Sequence, residues 1–395
     1  MRFYIIAGEA SGDLHASNLV KALNDIVGAT LSGSEESVNA STNGSASPST
    51  TLQFRGFGGD KMKDAGVVLV KHYRETAFMG FLEVVMNLKK ILGYIEACKK
   101  DILEWQPDAV ILVDYPGFNL RIAEFAHKTG YKVFYYISPQ VWAWKASRVN
   151  KIRRDVDRMF VILPFEKEFY RKLNYDVEFV GHPLLDAMQN FKTDDITVPD
   201  IRGTFSTSKP IITLLPGSRK QEIAKMLPIM LQVVNDFPDH RFLVAAVNSV
   251  DEGFYRSIIA NKKCELVFDQ TYSLLSSAKA ALVTSGTATL ETALYHVPQI
   301  VCYKGSGLSY LIARRLVDVK YIALVNLILD RPLLKELIQH ELNRSNLQTE
   351  LNEILYDDSR KKEIEQGYKE LHEKLGGAGA SALTAKKILE ILTMK

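Results

Sequence analysis

An aspartate in the first half of the chain follows a strand-length apolar run, where a catalytic carboxylate could lie. Asp114 comes directly after Ala109–Val113 and precedes a Tyr-Pro-Gly turn. A carboxylate at the end of a buried strand is partly desolvated, which raises its pKa and suits it to act as a general base. A helix or turn cap is the alternative role. We therefore take Asp114 as a candidate base.

Two loops in the second half have the features of a nucleotide site. Leu214–Ile223 (LLPGSRKQEI) predicts a strand, a tight turn and a helix start. It presents Ser218 and Arg219 at the C-terminal end of the strand, where doubly wound sheets bind ligands. The planar guanidinium of Arg219 suits a diphosphate. An exposed arginine at a helix start is the alternative.

The second loop lies within Thr284–Lys304, after another apolar run. Ser285, Gly286 and Thr287 supply hydroxyls and backbone N–H groups at a helix N-terminus, which favours an anion. Glu291, one turn further, could accept hydrogen bonds from two ribose hydroxyls or belong to a capping box. The chain lacks GxxxxGK[ST] and GxGxxG, which argues against a P-loop NTPase and an NAD enzyme.

The loop after the first apolar run, GEASGDLHA, combines a strand–turn–helix form with two carboxylates. That form is typical of a phosphate site, but Glu9 and Asp13 would repel a phosphate. We interpret the loop as a sugar-binding wall, in which Gly12 permits close approach and Ser11 offers a further oxygen. A helix cap is the alternative for Asp13, and Glu9 competes with Asp114 as the base.

Composition excludes several classes of protein. With 395 residues the chain is long enough for two domains, and its net charge of +3 is too small to indicate nucleic-acid binding. Its three cysteines lie far apart with no metal-ligand spacing, which favours a reducing cytoplasm over a disulfide framework or a zinc site. No signal peptide or membrane-spanning run is evident.

Apolar runs of strand length alternate with amphipathic stretches, which predicts an α/β fold of two doubly wound, Rossmann-like domains with parallel sheets. Beyond about Asp330 the pattern is purely helical. The predicted strands are Phe3–Ala7, Gln53–Gly56, Ala109–Val113, Val133–Ile137, Arg158–Ile162, Val177–Val180, Ile211–Leu215, Arg241–Val247, Glu265–Phe268, Ala280–Val283 and Gln299–Cys302.

Composition shifts also suggest where the domains divide. We expect an N-terminal domain over 1–190, a C-terminal domain over 191–365, and a helical segment over 366–395 that packs on the N-terminal domain or on a partner in a homodimer. Thr30–Gln53 is rich in serine and threonine, and we expect a mobile insertion there.

A tryptophan pair lies in Ser138–Trp144, before a basic stretch. Trp142 could pack against a sugar face or an acyl chain, or lie in the core. The basic residues could meet a phosphate or lipid head groups, or form a solvated helix face. Asp155-Val156-Asp157 resembles a metal-binding DxD motif, but neighbouring arginines favour ion pairing. The six basic residues are Lys145, Arg148, Lys151, Arg153, Arg154 and Arg158.

The stretch Ala77–Ile95 has a wide apolar face flanked by lysines. Such a stretch is typical of an interfacial amphipathic helix and equally of a core helix with lysines on its outer side. The candidate membrane-contacting residues are Phe78, Met79, Phe81, Leu82, Val85 and Met86.

Seven motifs in order resemble those of the lipid-A-disaccharide synthase family, which are glycosyltransferases of the GT-B fold. They are GEASGD, MGFLEV, SPQVWAW, LPFE, GHP, LLPGSR and SGTATLE, and the resemblance runs from Phe3 to about Leu392. It implies two Rossmann-like domains facing across a cleft, a UDP-sugar on the C-terminal domain and no metal or other cofactor. It also makes Asn326 a candidate nucleotide contact, with an ordinary polar turn residue as the alternative.

The resemblance further implies a reaction. The family joins UDP-2,3-diacylglucosamine to 2,3-diacylglucosamine 1-phosphate, releasing UDP and forming the β-1,6 disaccharide of lipid A. Asp114 matches the position of the proposed base, which would deprotonate the 6-hydroxyl of the acceptor. Because the substrates are diacylated, we expect a cytoplasmic protein on the inner face of the membrane.

Two other functions fit parts of the same pattern. A UDP-N-acetylglucosamine 2-epimerase would use a similar fold and nucleotide site, but it would have no use for the apolar, lysine-flanked stretch. A non-catalytic UDP-sugar binding protein could also retain Asp114 and Arg219.

Overall fold

A computed structural model of the chain describes residues 1–35, 51–76, 87–144, 148–194, 209–305 and 320–394. The chain divides into two compact units, one formed by Met1–Thr193 together with Leu375–Lys395 and the other by Asp194–Lys374. The sequence-based divisions after 190 and 365 lie three and nine residues before these. In this division the last helix belongs to the first unit.

The first unit is built on a parallel seven-stranded sheet with the order β3-β2-β1-β4-β5-β6-β7. The strand order reverses between β1 and β4, so these two neighbours form the switch point at which such sheets bind ligands. The strands are β1 (Arg2–Ala7), β2 (Gln53–Gly58), β3 (Val68–His72), β4 (Ala109–Val113), β5 (Lys132–Tyr136), β6 (Arg158–Val161) and β7 (Glu178–Phe179).

Helices connect the strands of this sheet and cover its faces. They are α1 (Ala10–Glu35), α2 (Asp60–Asp64), α3 (Tyr73–Thr76), α4 (Leu88–Trp105), α5 (Pro116–Lys128), α6 (Val141–Trp144), α7 (Val149–Asp155), α8 (Pro164–Lys172) and α9 (Pro183–Asp194).

The second unit has a parallel six-stranded sheet with the order β10-β9-β8-β11-β12-β13, so its switch point lies between β8 and β11. The strands are β8 (Ile211–Leu215), β9 (Arg241–Ala246), β10 (Cys264–Phe268), β11 (Ala278–Thr284), β12 (Gln299–Tyr303) and β13 (Glu336–Ile338). The helices from here to the end of the chain are α10 (Lys220–Met230), a 3₁₀ turn (Leu231–Asp236), α11 (Glu252–Ile259), α12 (Thr271–Ser277), α13 (Thr287–Leu294), α14 (Leu324–Leu329), α15 (Arg344–Tyr356), α16 (Asp358–Leu375) and α17 (Ala380–Thr393).

Strand β1 shows why the apolar runs are continuous. Phe3 and Ile5 point into one hydrophobic cluster, while Tyr4 and Ile6 point into another on the opposite face of the sheet. Both faces are therefore buried, as in parallel sheets covered by helices on each side. The predicted α/β fold with two doubly wound, Rossmann-like sheets is confirmed.

Two edge strands were not predicted. Strand β3 pairs only with β2 in the described residues, and its first residue, Val68, is 58% exposed. Strand β13 contains three residues and contradicts the expectation of a purely helical pattern beyond about Asp330. Edge strands bury less apolar surface than central ones, so neither sequence carried a clear strand signal.

The serine- and threonine-rich segment begins as helix rather than as a loop. Helix α1 continues to Glu35, past the expected start of the insertion at Thr30, and β2 begins at Gln53. Residues 36–50 of the predicted mobile insertion lie outside the described residues.

The last helix, α17, lies in the first unit and contacts α1. Its N-terminus is held by the Asp186 carboxylate, which accepts hydrogen bonds from the backbone N–H groups of Gly379 (2.6 Å), Ala380 (3.2 Å) and Ser381 (2.8 Å). A carboxylate is favourable at a helix N-terminus, where unpaired N–H groups concentrate. Ile388 joins the hydrophobic cluster that contains Phe3.

Candidate active site

The switch point of the first unit brings together the two loops that carry its candidate catalytic carboxylates. Ala7 at the end of β1 pairs with Val113 at the end of β4. Glu9 follows the first strand and Asp114 the second, so both lie at the same edge of the sheet. The structure therefore places both candidate bases where ligands of doubly wound sheets bind.

Asp114 and the next residue have an unusual backbone conformation. Their φ angles are +46° for Asp114 and +48° for Tyr115, in the left-handed region. Each such residue costs about 1–3 kcal/mol and persists only where surrounding contacts hold it. Here the Asp114 carbonyl accepts hydrogen bonds from Tyr135 Oη (2.6 Å) and Asn119 Nδ2 (2.8 Å). The turn that carries the Asp114 carboxylate is thus fixed from two sides.

The electrostatics of Asp114 match those of a base that works near neutral pH. Burial and, to a smaller extent, the charge of Glu9 raise the pKa of its carboxyl, a hydrogen bond from the backbone of Tyr115 opposes them, and the resulting pKa is about 7. A group with a pKa near the working pH is the most effective proton acceptor.

Gly8, at the start of the first loop, is required by its contact with Tyr115. A Cβ added at Gly8 would lie 2.2 Å from Cγ of the Tyr115 ring, so any larger residue would displace that ring. The ring stacks on Phe118, with centroids 5.5 Å apart. The two loops of the switch point therefore fit together through this glycine.

Asp13 has a structural role that the sequence did not reveal. Its buried carboxylate accepts hydrogen bonds from the backbone N–H groups of Gly59 (2.7 Å), Lys61 (3.1 Å) and Met62 (3.1 Å), at the N-terminus of α2. It caps this distant helix rather than α1, where it lies. Of the other predicted sugar-binding residues, Gly12 is buried and Ser11 is exposed.

Trp142 is partly buried and packs edge-on against Phe165, with ring centroids 5.0 Å apart. The loop before it is tied to α8, because Ser138 Oγ donates a hydrogen bond to the Glu166 carboxylate, which also accepts one from the backbone of Leu163 (2.9 Å). Burial raises the pKa of Glu166 to about 7. Glu166 ends the LPFE motif, but no role could be assigned to it from sequence, because its partner lies 28 residues away.

The DxD-like motif forms ion pairs, as predicted. Asp155 binds Arg154, with Nε to Oδ1 at 2.6 Å, and Asp157 binds Lys132, with Nζ to Oδ1 at 2.8 Å. Within the described ranges, no three histidine, cysteine, aspartate or glutamate residues are grouped in a way that could hold a metal ion.

The switch point of the second unit brings together the two predicted nucleotide loops. Leu215 at the end of β8 pairs with Val283 near the end of β11. The loop that carries Ser218 and Arg219 follows β8, and the loop of Ser285 to Thr287 follows β11. Both lie at the ligand-binding edge of this sheet.

Arg219 is exposed and directly precedes α10, with Glu222 on the first turn of that helix as its partner. Arg219 Nη1 lies 3.1 Å from Glu222 Oε1, and the other oxygen of Glu222 accepts a hydrogen bond from the Ser218 backbone N–H (3.3 Å). Gly217 has φ +108°, which favours glycine in this turn. A cation is unfavourable at a helix N-terminus unless an anion lies nearby, and Glu222 supplies that anion for Arg219.

The loop after β11 opens directly onto a helix. Gly286 has φ +151° and precedes α13, whose first residue, Thr287, is exposed. Ser285 Oγ donates to the Ile322 carbonyl (3.0 Å), so its hydroxyl ties this loop to a neighbouring segment. Gly286 and Thr287 are exposed, so the start of α13 is the part of this loop best suited to an anion.

Glu291 lies on α13, partly buried beside a tyrosine. Tyr272 Oη donates a hydrogen bond to its Oε1 at 3.3 Å. Burial raises the pKa of Glu291, and the hydrogen bond from Tyr272 opposes that rise. The sequence did not point to Tyr272, which lies on a different helix.

Asn326 is fully buried, and its side chain makes hydrogen bonds within the second unit. Its Nδ2 donates to the Leu334 carbonyl and to Glu336 Oε1, both at 2.9 Å, and its Oδ1 accepts from the Leu334 backbone N–H at 2.8 Å. Because no surface of Asn326 is exposed, the alternative of a structural turn residue accounts for it better than a nucleotide contact does.

The predicted membrane-contacting residues lie in 77–86, outside the described residues. The helix that follows, α4, exposes Leu88 (46%) and Leu92 (44%). In the parts of the chain that the structure describes, no helix has both the length and the apolar character to span a bilayer.

A family model described as Lipid-A-disaccharide synthetase matches residues 3–391. The lipid-A-disaccharide synthase of Syntrophus aciditrophicus is 40% identical over 397 residues, covering 98% of this chain and 97% of the relative. The chain belongs to the lipid-A-disaccharide synthase family. The family member of Geobacter metallireducens is 36% identical and covers 100% of this chain and 98% of its own. The predicted family and its class, a hexosyltransferase, are thereby confirmed.

Solved structures support the fold expected for this family. The glycotransferase of kitacinnamycin aligns with a TM-score of 0.63 at 12% identity, covering 98% of both chains. The UDP-GlcNAc 2-epimerase of Neisseria meningitidis aligns with a TM-score of 0.64 at 11% identity, covering 99% of this chain and 100% of its own. At such identities only the fold is shared, so the epimerase alternative has a fold neighbour and no sequence support.

Proposed function

We propose that this member of the family transfers the sugar of UDP-2,3-diacylglucosamine to 2,3-diacylglucosamine 1-phosphate. The products are the β-1,6-linked disaccharide 1-phosphate and UDP. The observation that carries the proposal is Asp114, a carboxylate held in a left-handed turn at the switch point with a pKa raised to about 7.

In this reaction Asp114 accepts the proton of the acceptor's 6-hydroxyl. The oxygen attacks the anomeric carbon on the face opposite the nucleotide, the bond from that carbon to the UDP oxygen breaks, and UDP leaves with the electron pair. The single displacement converts an α-linked donor into a β-linked product, as expected for an inverting transferase.

Asp114 is the better candidate for the base, and Glu9 tunes it. The negative charge of Glu9 raises the pKa of Asp114, so a proton on Asp114 is held more tightly while Glu9 remains ionised. The backbone of Asp114 is also fixed by Tyr135 and Asn119, which keeps a catalytic group in position. Ser11 and Trp142 remain proposed contacts of the acceptor sugar.

The second unit is proposed to bind the UDP part of the donor. Arg219 would contact the diphosphate, which would replace Glu222 as its anion, while the N–H groups that begin α13 hold a phosphate. Glu291 would accept hydrogen bonds from the ribose hydroxyls. The remaining proposed contacts of this site are Ser218, Ser285, Gly286 and Thr287.

Incubation with each diacylated sugar alone and then with both tests the proposal. We expect UDP release and a disaccharide phosphate only when both substrates are present. UDP release that ignores the acceptor, or epimerisation of the donor, would overturn it.

We also propose that the chain acts as a peripheral protein on the inner face of the cytoplasmic membrane. Diacylated substrates reside in a bilayer, and the exposed Leu88 and Leu92 belong to the apolar face predicted for Ala77–Ile95. Replacing both leucines with serine should lower the fraction bound to anionic lipid vesicles. Leu383→Ser is the matched control, because Leu383 is 40% exposed on α17, which packs on the opposite face of the sheet from α4. An equal loss in the control would refute this membrane face.

A further inference from the structure

The Glu291 carboxylate lies beside two tyrosines that differ in what their hydroxyls do. Tyr272, from α12, and Tyr295, which follows α13, stack with ring centroids 5.5 Å apart and an interplanar angle of 25°. Tyr295 comes four residues after Glu291, and its backbone N–H donates to the Glu291 carbonyl at 3.1 Å, so the two residues lie one turn apart on the same side. The stacked pair thus forms an aromatic wall beside the carboxylate.

The hydrogen bond found at this wall comes from Tyr272. Its Oη donates to Glu291 Oε1 at 3.3 Å. The Tyr295 hydroxyl is buried and has no hydrogen-bond partner among the described residues. The two tyrosines can therefore be compared directly, because their rings are stacked on each other and Tyr272 donates the hydrogen bond to the carboxylate.

An ionised carboxylate has about four lone-pair sites on its two oxygens. The Tyr272 hydroxyl occupies one of them and so restricts rotation of the Glu291 side chain. The carboxylate then presents its remaining lone pairs in one fixed orientation. Such an orientation is needed if the carboxylate is to accept hydrogen bonds from two adjacent ribose hydroxyls at once.

We infer that Tyr272 is a positioning residue, whose hydroxyl orients the Glu291 carboxylate toward the ribose hydroxyls of a bound nucleoside diphosphate. The inference rests on the proposed function, in which Glu291 contacts the ribose. Tyr272 need not touch the nucleotide, since it acts through Glu291.

The charge state of Glu291 gives a second readout of the same contact. Burial raises the pKa of Glu291 and the donated hydrogen bond lowers it. Among the described residues, Tyr272 and Tyr295 are the titratable groups that interact with it. Loss of the Tyr272 hydroxyl therefore raises the pKa of Glu291. As the solution is acidified, Glu291 then becomes protonated at a higher pH than in the unaltered chain, and nucleotide binding weakens at that higher pH.

The experiment compares the binding of UDP and 2′,3′-dideoxy-UDP to the full chain by calorimetry. Tyr272→Phe keeps the stacked ring and removes the donor, so UDP should bind roughly 5-fold more weakly, while binding of the dideoxy nucleotide is unchanged. Tyr295→Phe is the matched control and should alter neither affinity. The acid limb of UDP binding should move to higher pH in Tyr272→Phe alone.

A loss of equal size for both nucleotides, or no loss for UDP, would overturn the positioning role. Glu291→Ala, which removes every hydrogen-bond acceptor of this side chain, separates this outcome from a failure of the proposed site. If the variant keeps the full preference for UDP over the dideoxy nucleotide, Glu291 does not bind the ribose. The proposed ribose contact of Glu291 and the positioning role of Tyr272 are then both wrong. If it loses that preference while Tyr272→Phe retains it, only the role of Tyr272 is wrong.

Discussion

After the central strands of the first unit the chain places two carboxylates, Glu9 and Asp114. At the corresponding positions of the second unit it places Arg219 and the exposed start of helix α13. Both pairs of loops follow neighbouring strands at which the strand order reverses. The topology therefore determines where the two candidate sites lie, and the loops determine which charge a ligand would meet there.

The two switch points also differ in how they tolerate unusual backbone geometry. In the two switch-point loops of the second unit the positive φ angles fall on Gly217 and Gly286, where they cost little. In the first unit they fall on Asp114 and Tyr115, where they cost more and are held by side-chain hydrogen bonds. The turn that carries the proposed catalytic carboxylate is thus strained, whereas the two proposed nucleotide loops have their positive φ angles on glycine.

The largest expected effect follows from removing the base of the first unit. Asp114→Asn should lower the turnover number by about 10² to 10⁴-fold, the usual contribution of a general base. Initial rates of UDP release at saturating substrates measure this loss. Asp64→Asn is the control, because Asp64 is an exposed aspartate of the same unit, and it should behave like the unaltered chain.

The next effect belongs to the second unit. Arg219→Ala should weaken UDP binding by about 10- to 100-fold, because hydrogen bonds to a charged group are lost. Calorimetric titration with UDP gives the dissociation constant. Arg256→Ala serves as the control, since Arg256 is a surface arginine of the same unit that pairs with Glu252 at 2.7 Å. Equal losses in the two variants would remove the reason for assigning Arg219 to the diphosphate.

Glu9→Gln should change the pH dependence of the first unit's chemistry. The base must be ionised to act, so the rate rises as the pH passes through the pKa of Asp114, at about 7. The negative charge of Glu9 raises that pKa, so its removal lowers the pKa and moves the rising limb of the pH–rate profile to lower pH. A limb that stays in place or moves upward would show that Glu9 does not act on Asp114.

The smallest effect concerns the stability of the chain and the turn at Gly286 in the second unit. Gly286→Ala places a side chain at φ +151° and should lower the free energy of unfolding by about 1–3 kcal/mol. Gly93→Ala is the control, because Gly93 lies within α4 with nothing near its added Cβ, and alanine there should be neutral or stabilising. Denaturant unfolding of both variants measures the difference.

Much of the fold was predictable because its central strands are buried on both faces. A run such as Ala109–Val113 has no polar position, and this pattern marked the strand with the bounds that the structure shows. Strands β3 and β13 were missed because an edge strand buries little, and β13 has only three residues.

Residues of the candidate site were predictable where they come soon after a buried strand. They were unpredictable where their role depends on partners that are distant in sequence. Asp114 and Arg219 were identified because each stands just beyond a buried strand. The cap that Asp13 forms on α2 joins residues about 46 positions apart, and the contact of Tyr272 with Glu291 joins two helices. Sequence spacing carries no signal for such contacts, since they arise only when the sheet is assembled.

The division of labour between the two switch points is tested most directly by titrating UDP into Asp114→Asn. If Asp114 serves only the acceptor chemistry of the first unit, the dissociation constant for UDP should match that of the unaltered chain while turnover is lost. A fall in UDP affinity as large as the fall in turnover would contradict this account and place Asp114 in nucleotide binding.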